Sequence, residues 1–297
     1  MDGLFALGSN GSGQLGLGHK EDVSVPKQVV GVDQPSHDDP VTQVAAGGNH
    51  TVLVTASGKA YWTGDYTSGC CGIIEDEDKG DARPIFRRFC LSSPVSTELI
   101  TYAACAWDTT ILVAGDEDGQ ATRIYSCGTS EGTGGSPVLI VNFPPVGTEV
   151  VSIAAGFRHI VVVLNNGDAY GWGNGKKGQL GPLDDGADAR GVISKPRKID
   201  GVPFKVARAV CCQFTTCLVA EPGDGRIFVL GADKWALKSQ APAEVPSWKS
   251  IVAGWGAIYI LKRDGMLAAW GRDDHGPVAA PLVSQKSHIS PLEASTS

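Results

Sequence analysis

A short phrase recurs along this chain at intervals of a few dozen residues: Gly-x-x-His, an apolar strand, a turn glycine, then an aromatic residue leading to a final glycine. It is plainest at Gly47-Gly48-Asn49-His50-Thr51-Val52-Leu53-Val54, followed by Gly58 and Tyr61-Trp62-Thr63-Gly64. It returns at Gly156-Phe157-Arg158-His159-Ile160-Val161-Val162-Val163, followed by Gly167 and Tyr170-Gly171-Trp172-Gly173. Self-similarity at such a period marks a repeat architecture, in which each unit buries its apolar face only by stacking on its neighbours. The informative residues are then the ones that differ between copies.

Aligning the copies on the phrase gives five anchors, Gly47, Cys105, Gly156, Cys211 and Gly254. Three residues after them stand His50, Asp108, His159, Phe214 and Ala257. Each anchor leads into a β-branched apolar run, the pattern of a buried strand. A hairpin turn follows at Ser57-Gly58, Asp118-Gly119, Asn166-Gly167, Asp224-Gly225 and Asp264-Gly265. Asp-Gly and Asn-Gly supply the positive φ angles of a two-residue type I′ turn, which is the turn expected here. The return strands end at Gly64, Gly128, Gly173, Gly231 and Gly271, and Trp62, Trp172 and Trp270 precede three of these glycines closely enough to fill space between packed sheets. The chain opens on the same return strand, ending at Gly8, which predicts that the N-terminal strand completes the blade formed by the C-terminus. With no convincing helix in any unit, the expected fold is all-β, a radial repetition of four-stranded sheets.

Composition narrows the function classes. Hydrophobic residues make up 42% and charged residues 19%, a globular balance, and the 39 glycines suit many tight turns. No run approaches the ~20 apolar residues of a membrane-spanning helix. Met1-Asp2-Gly3-Leu4-Phe5 lacks the basic and apolar regions of a signal peptide, so the expected location is cytoplasmic and nuclear, with reduced thiols. The net charge of −7 and the absence of a basic run argue against direct DNA binding. Eight cysteines, none in a C-x-x-C pair, read mostly as small buried packing residues; a zinc site assembled from them in space is the alternative. Gly173 to Gly181 has the form G-x-x-x-x-G-Q-L-G but lacks the Lys-Ser/Thr of a phosphate-binding loop, so it reads as a structural turn. No cofactor is expected.

The string G-S-N-G-x-G-Q-L-G-L-G-H over Gly8 to His19, with A-G-G-N-H-T over Ala46 to Thr51 and the Trp-Gly strand ends, resembles the regulator-of-chromosome-condensation repeat family over about residues 1–280. The resemblance implies a β-propeller domain followed by a flexible tail at 281–297. The early segments, the divergent Cys105-Ala106-Trp107-Asp108-Thr109-Thr110 and the weakened fourth and fifth repeats are most similar to the fungal alpha-tubulin suppressor, or killer-toxin-insensitivity, propellers. That resemblance implies a non-catalytic protein that forms a heterodimer with a small CSL zinc-finger metalloprotein. Through it, such proteins support Elongator-dependent tRNA wobble uridine modification and diphthamide synthesis on elongation factor 2. The founding branch of the family implies a second reading, an exchange factor for a Ran-type small GTPase. The family usually closes with seven blades, whereas this chain has five anchors and six strand-end glycines, which leaves six blades or an incomplete seven.

The candidate partner-binding residues are Asn49, His50, Trp107, Asp108, Arg158, His159 and Trp255. His50 and His159 share a repeat position, which favours a scaffold role in which each imidazole hydrogen-bonds the backbone of a neighbouring turn. Trp107-Asp108 is the most distinctive departure, on a loop between strands where binding residues tend to lie. It fits either an interface anchor or a ring filling the propeller axis, and Trp255 invites the same two readings. The acidic stretch Glu75 to Asp81, with a second at Asp184 to Asp188, is either solvated surface or a lure for a basic partner.

Overall fold

The computed structural model describes residues 3–30, 39–71, 83–89, 91, 99–116, 118–128, 137–183 and 187–274. The acidic stretch at 75–81, the Asp184-Asp185-Gly186 part of the second one and the tail at 281–297 lie outside these residues. The described strands are all antiparallel and build five blades. Blade one is β3 (Val41–Ala46), β4 (His50–Thr55), β5 (Ala60–Gly64) and β6 (Arg87–Arg88). Blade two is β7 (Ile100–Cys105), β8 (Thr109–Gly115), β9 (Ala121–Gly128) and β10 (Val138–Leu139). Blade three is β11 (Val150–Ala155), β12 (His159–Leu164), β13 (Ala169–Asn174) and β14 (Val192–Lys198). Blade four is β15 (Val206–Cys211), β16 (Thr215–Ala220) and β17 (Ile227–Gly231); blade five is β18 (Trp248–Ala253), β19 (Ala257–Lys262) and β20 (Leu267–Gly271). A two-stranded sheet, β1 (Phe5–Gly8) with β2 (Val23–Gln28), precedes them.

Two expectations from the sequence are corrected here. Among the described residues the blades number five, one per anchor, rather than six or seven. Among the described residues β1 pairs with β2 and not with β20, so the N-terminal strand does not complete the blade formed by the last repeat. The expectation of four-stranded sheets holds in blades one to three; blade four has three strands and a lone Arg226–Glu244 bridge along its outer edge.

Apolar side chains fill the spaces between neighbouring sheets. Val52, Trp62, Leu112 and Cys127 join blades one and two. Ile111, Ile160, Trp172 and Leu218 belong to a cluster spanning blades two to four, and Val210, Val219, Ile258 and Trp270 join blades four and five. Leu53, Tyr61 and Phe86 of blade one meet Leu17 and Val29 of the first sheet. Trp62, Trp172 and Trp270 are buried, as their place before the strand-end glycines predicts.

The hairpin turns also differ in type from the expectation. In blade three Leu164 N–H donates to the Asp168 carbonyl and Gly167 N–H to the Leu164 carbonyl, closing a loop of three residues. Only the glycine takes a positive φ, 89° at Gly167. This is a type I turn with a glycine bulge, the next most common hairpin closure after the two-residue one. The same pair of bonds recurs at Thr55 to Lys59, Asp116 to Gln120 and Lys262 to Met266.

The strand-end glycine is fixed by a close approach. At Gly173, with φ 94°, a Cβ would lie 2.5 Å from the carbonyl oxygen of Arg158, and the Asn174 N–H donates to that same oxygen at 2.7 Å. Gly64 has φ 113° and would put a Cβ 2.3 Å from the Asn49 carbonyl. Each return strand is thereby pinned to the turn that opens its own blade. Gly173→Ala should therefore destabilise the fold by about 2–4 kcal/mol, combining the left-handed backbone with a backbone clash. Gly178→Ala, at φ 77° with open space around the position, should cost only about 1–2 kcal/mol. Urea unfolding of the two variants measures the difference.

Candidate functional site

The first turn of every blade, between its innermost strand and the next, points to one rim around the axis. The strand register shows which residues correspond. His50, Thr109, His159, Thr215 and Ala257 each pair with a strand-end glycine, and the residue three positions earlier donates its N–H to each of their carbonyls. The true anchors are therefore Gly47, Ala106, Gly156, Cys212 and Gly254. Alignment on Cys105 and Cys211 slips repeats two and four by one residue, because neither repeat offers a glycine to mark the turn. Asp108 and Phe214 accordingly stand beside Asn49, Arg158 and Gly256, and not in the histidine position.

The corrected register explains which side chains the anchor tolerates. A Cβ on Gly47 would lie 2.2 Å from the His50 ring and 2.5 Å from the Ala106 carbonyl, and Gly156 is enclosed in the same way by His159 and the Cys212 carbonyl. Where threonine replaces histidine, the anchor grows to Ala106 or Cys212. The buried imidazoles tie blades together: His50 Nε2 shares a hydrogen bond of 2.9 Å with Thr110 Oγ1, and His159 Nε2 one of 3.1 Å with Thr216 Oγ1. The partner is a hydroxyl on the next blade, not the turn backbone that the sequence suggests. Both Nδ1 atoms are buried without a hydrogen-bond partner. His50 and His159 are thus scaffold, withdrawn from any docking surface.

One position after the anchor stand Gly48, Trp107, Phe157, Gln213 and Trp255. Their backbones join hand to hand: Gly48 N–H donates to Trp107 O, Trp107 to Phe157 O, Phe157 to Gln213 O and Gln213 to Trp255 O, at 2.9 to 3.1 Å. The side chains of this ring meet over the axis. Trp107 lies 5.2 Å from Phe157 and 5.8 Å from Trp255 between ring centroids, and Phe157 lies 5.7 Å from Trp255 and 5.8 Å from Phe214. These are edge-on and tilted contacts of the kind aromatic pairs prefer. The cluster stays open to solvent, with Trp107 39% and Trp255 45% exposed. The Trp107 ring packs at the axis and leaves a face exposed.

Polar residues rim the cluster. Arg158 stacks over Phe157 at 5.2 Å and pairs with Asp108 at 3.5 Å, a half-exposed contact worth at most about 1 kcal/mol. Lys234 sits 4.1 Å from the Trp235 ring centroid and donates to Gln213 Oε1 at 2.9 Å. Asn49 is exposed at the same rim as Asp108 and Arg158, its carbonyl held by Asp65 N–H. Of the residues expected from sequence, the structure brings together Trp107, Asp108, Arg158 and Trp255. Phe157, Phe214, Lys234 and Trp235 were missed. Phe157 was legible, since it sits at the same offset from its anchor as Trp255. Among the described residues no group of three or more His, Cys, Asp or Glu is placed to hold a metal ion. The G-x-x-x-x-G-Q-L-G string is a turn, with Gln179 buried and its Oε1 accepting from Lys177 N–H at 2.9 Å.

Comparison with known proteins agrees with the geometry. Models of the regulator of chromosome condensation (RCC1) repeat match residues 2–54, 150–179 and 166–219. An RCC1 repeat-containing protein of Schizosaccharomyces pombe is 30% identical over 97% of this chain and 81% of its own length. The chain belongs to the RCC1 repeat family. The secretion-regulating guanine nucleotide exchange factor of Mus musculus is 28% identical over 99% of the chain, which spans 64% of that protein's length. The crystal structure of Prp20p from Saccharomyces cerevisiae superposes with a TM-score of 0.71 at 19% identity, covering 91% of this chain and 66% of Prp20p, a likeness of fold.

The scaffold histidines carry a testable signature. Burial pushes the His159 imidazole down to about 3, against ~6.5 in the unfolded chain. Between these values the unfolded state binds the extra proton, so the contribution is complete above ~6.5 and is lost as pH falls toward about 3. His159→Gln should remove up to ~1.4 kcal/mol per pH unit from the slope of stability against pH in that window. Chemical denaturation of both proteins at pH 7 and pH 5 measures it.

Proposed function

We propose that this RCC1-repeat propeller is a non-catalytic docking protein whose partner seats on the aromatic hub formed by Trp107, Phe157, Phe214 and Trp255. The observation that carries this reading is the exposure of two tryptophans on a rigid, backbone-bonded ring, with Arg158 and Lys234 at its edge. Tryptophan and arginine dominate interface hot spots, and a pre-organised aromatic patch orders few side chains on binding. The partner we favour is the small CSL zinc-finger metalloprotein implied by the resemblance to the tubulin-suppressor group. The pathways it would serve are Elongator-dependent tRNA wobble uridine modification and diphthamide synthesis, in the cytoplasm and nucleus. The support for that partner is the resemblance of the early segments and of Cys105 to Thr110.

A second reading, nucleotide exchange on a small GTPase, is favoured by the 28% identity to a mouse protein named as a guanine nucleotide exchange factor. Catalytic amounts of the chain accelerating nucleotide release from a Ran-type GTPase would establish it over the first.

The hub itself is tested by substitution. Its hydrogen bonds are made by backbone, so Trp107→Ala and Trp255→Ala remove the rings and keep the scaffold. Each should weaken capture of the CSL partner about 30-fold or more, the loss of a ~2 kcal/mol hot spot, with the unfolding midpoint little changed. Undiminished capture by both variants would overturn the hub as the docking site.

A further inference from the structure

One departure from the repeat lies away from the hub. Three strings in the sequence share a common form: Gly13-Gln14-Leu15-Gly16, Gly178-Gln179-Leu180-Gly181 and Gly69-Cys70-Cys71-Gly72, whose described residues 69–71 belong to blade one. In the turns of the first sheet and of blade three the glutamine Oε1 accepts from the N–H two residues earlier. Blade one replaces the glutamine and leucine with two adjacent thiols. Their Sγ atoms lie 3.7 Å apart, and both thiols point at the same acceptor, the Asp65 carbonyl, at 3.3 and 3.5 Å. Cys70 is 1% exposed and Cys71 fully buried. The His50 Nδ1 is buried without a hydrogen-bond partner, and the imidazole and the Cys70 thiol each shift the other's proton affinity.

We infer that Cys70 and Cys71 form an oxidation site, at which a small peroxide converts the adjacent thiols to a disulfide with the His50 imidazole as proton acceptor. Buried thiols are ordinarily inert because burial disfavours the thiolate. Cys211 and Cys217 follow that rule, their thiols pushed up by burial, and burial pushes Cys212 up to about 12. Cys70 departs from it: its hydrogen bond with Cys71, and then the His50 imidazole, outweigh burial and hold the thiol down at about 5. The effect is reciprocal, since Cys105 and Cys70 outweigh the burial of His50 and raise its imidazole to about 10. His159, at the same repeat position, is lowered by burial and has no equivalent of the Cys70–Cys71 pair in its Gln179-Leu180 turn. That makes it an internal control.

The chemistry balances as follows. Cys70 passes its proton to the imidazole, and its sulfur attacks one peroxide oxygen. An S–O bond forms, the O–O bond breaks, and the departing hydroxide takes the proton from the imidazole as water. The Cys71 sulfur then displaces the second oxygen from Cys70, so that the S–S bond forms, the S–O bond breaks and a second water leaves with the Cys71 proton. Two thiols give two electrons to one peroxide. Burial of the pair disfavours attack on an oxidant as bulky as glutathione disulfide.

The full-length reduced chain is exposed to hydrogen peroxide or to oxidised glutathione, then unfolded, alkylated and digested. The peptide holding residues 70–71 should emerge lighter by two hydrogens and closed to alkylation, after peroxide and not after glutathione. It should form about tenfold or more faster than oxidation of Cys211 or Cys217, and dithiothreitol should reopen it. His50→Gln should slow this about tenfold, and His159→Gln should leave it unchanged. In the unsubstituted protein, iodoacetamide labelling of Cys70 should titrate well below the ~8.5 of an ordinary thiol. Equal rates at all cysteines, indifference to His50→Gln, or labelling that rises only near the ordinary thiol value would each overturn the site.

Discussion

The structure depends on a chain of four backbone hydrogen bonds at its axis. Each blade is a separate sheet, and the apolar contacts between sheets are non-directional, so they do not by themselves fix how far one blade rotates against the next. The bonds from Gly48 through Trp107, Phe157 and Gln213 to Trp255 do fix it, because each joins the same turn position in successive blades. A net gain of ~1 kcal/mol per bond is modest. Their larger effect is geometric, since a turn displaced by one residue would leave buried N–H groups unsatisfied.

From that constraint the side-chain pattern follows in pairs of blades. Blades one and three supply a histidine and blades two and four the threonine that receives it, in the Thr109-Thr110 and Thr215-Thr216 pairs. A histidine ring needs the space a glycine leaves, so Gly47 and Gly156 go with His50 and His159, whereas Ala106 and Cys212 go with threonine. With the buried positions of the turn committed to this scaffold, the two positions after the anchor point outward, and Trp107, Phe157, Phe214 and Trp255 gather there.

Much of this was legible in the sequence, and the misses have a common cause. Each of the five phrases marks one described blade, although six or an incomplete seven were expected from them, and the strand-end glycines of those blades fell where carbonyl oxygens approach too closely for a Cβ. The one-residue slip at Cys105 and Cys211 arose because alignment followed the most glycine-like small residue, while the pairing of Thr109 with Gly128 and Thr215 with Gly231 is a property of the folded sheet. The slip then placed Asp108 and Phe214 in the histidine position and hid Phe214 from the hub. Trp235 and Lys234 were beyond reach of any repeat-based reading, because they come from the segment after blade four and reach the hub only through packing on Gly256 and Gln213. The three-residue hairpins were misread for a plainer reason: Asn-Gly serves both turn types, and the loop length that separates them is set by strand register.

The same logic identifies the two ends of the array. Along the innermost strands, Val44 corresponds to Ala103, Ala209 and Ile251, each buried in the cluster shared with the preceding blade, and Val252 corresponds to Val210, buried in the cluster shared with the following one. Val44 is 59% exposed and Val252 53%. Among the described residues, blade one therefore lacks a neighbour on its inner preceding face and blade five on its inner following face. The first sheet covers only the outer part of blade one, where Leu17 and Val29 meet Tyr61 and Phe86. Its strands correspond to the third and fourth of a blade, and Gly8 shows the consequence: it has the positive φ of every strand-end glycine, 117°, but no turn carbonyl within 4 Å to require it.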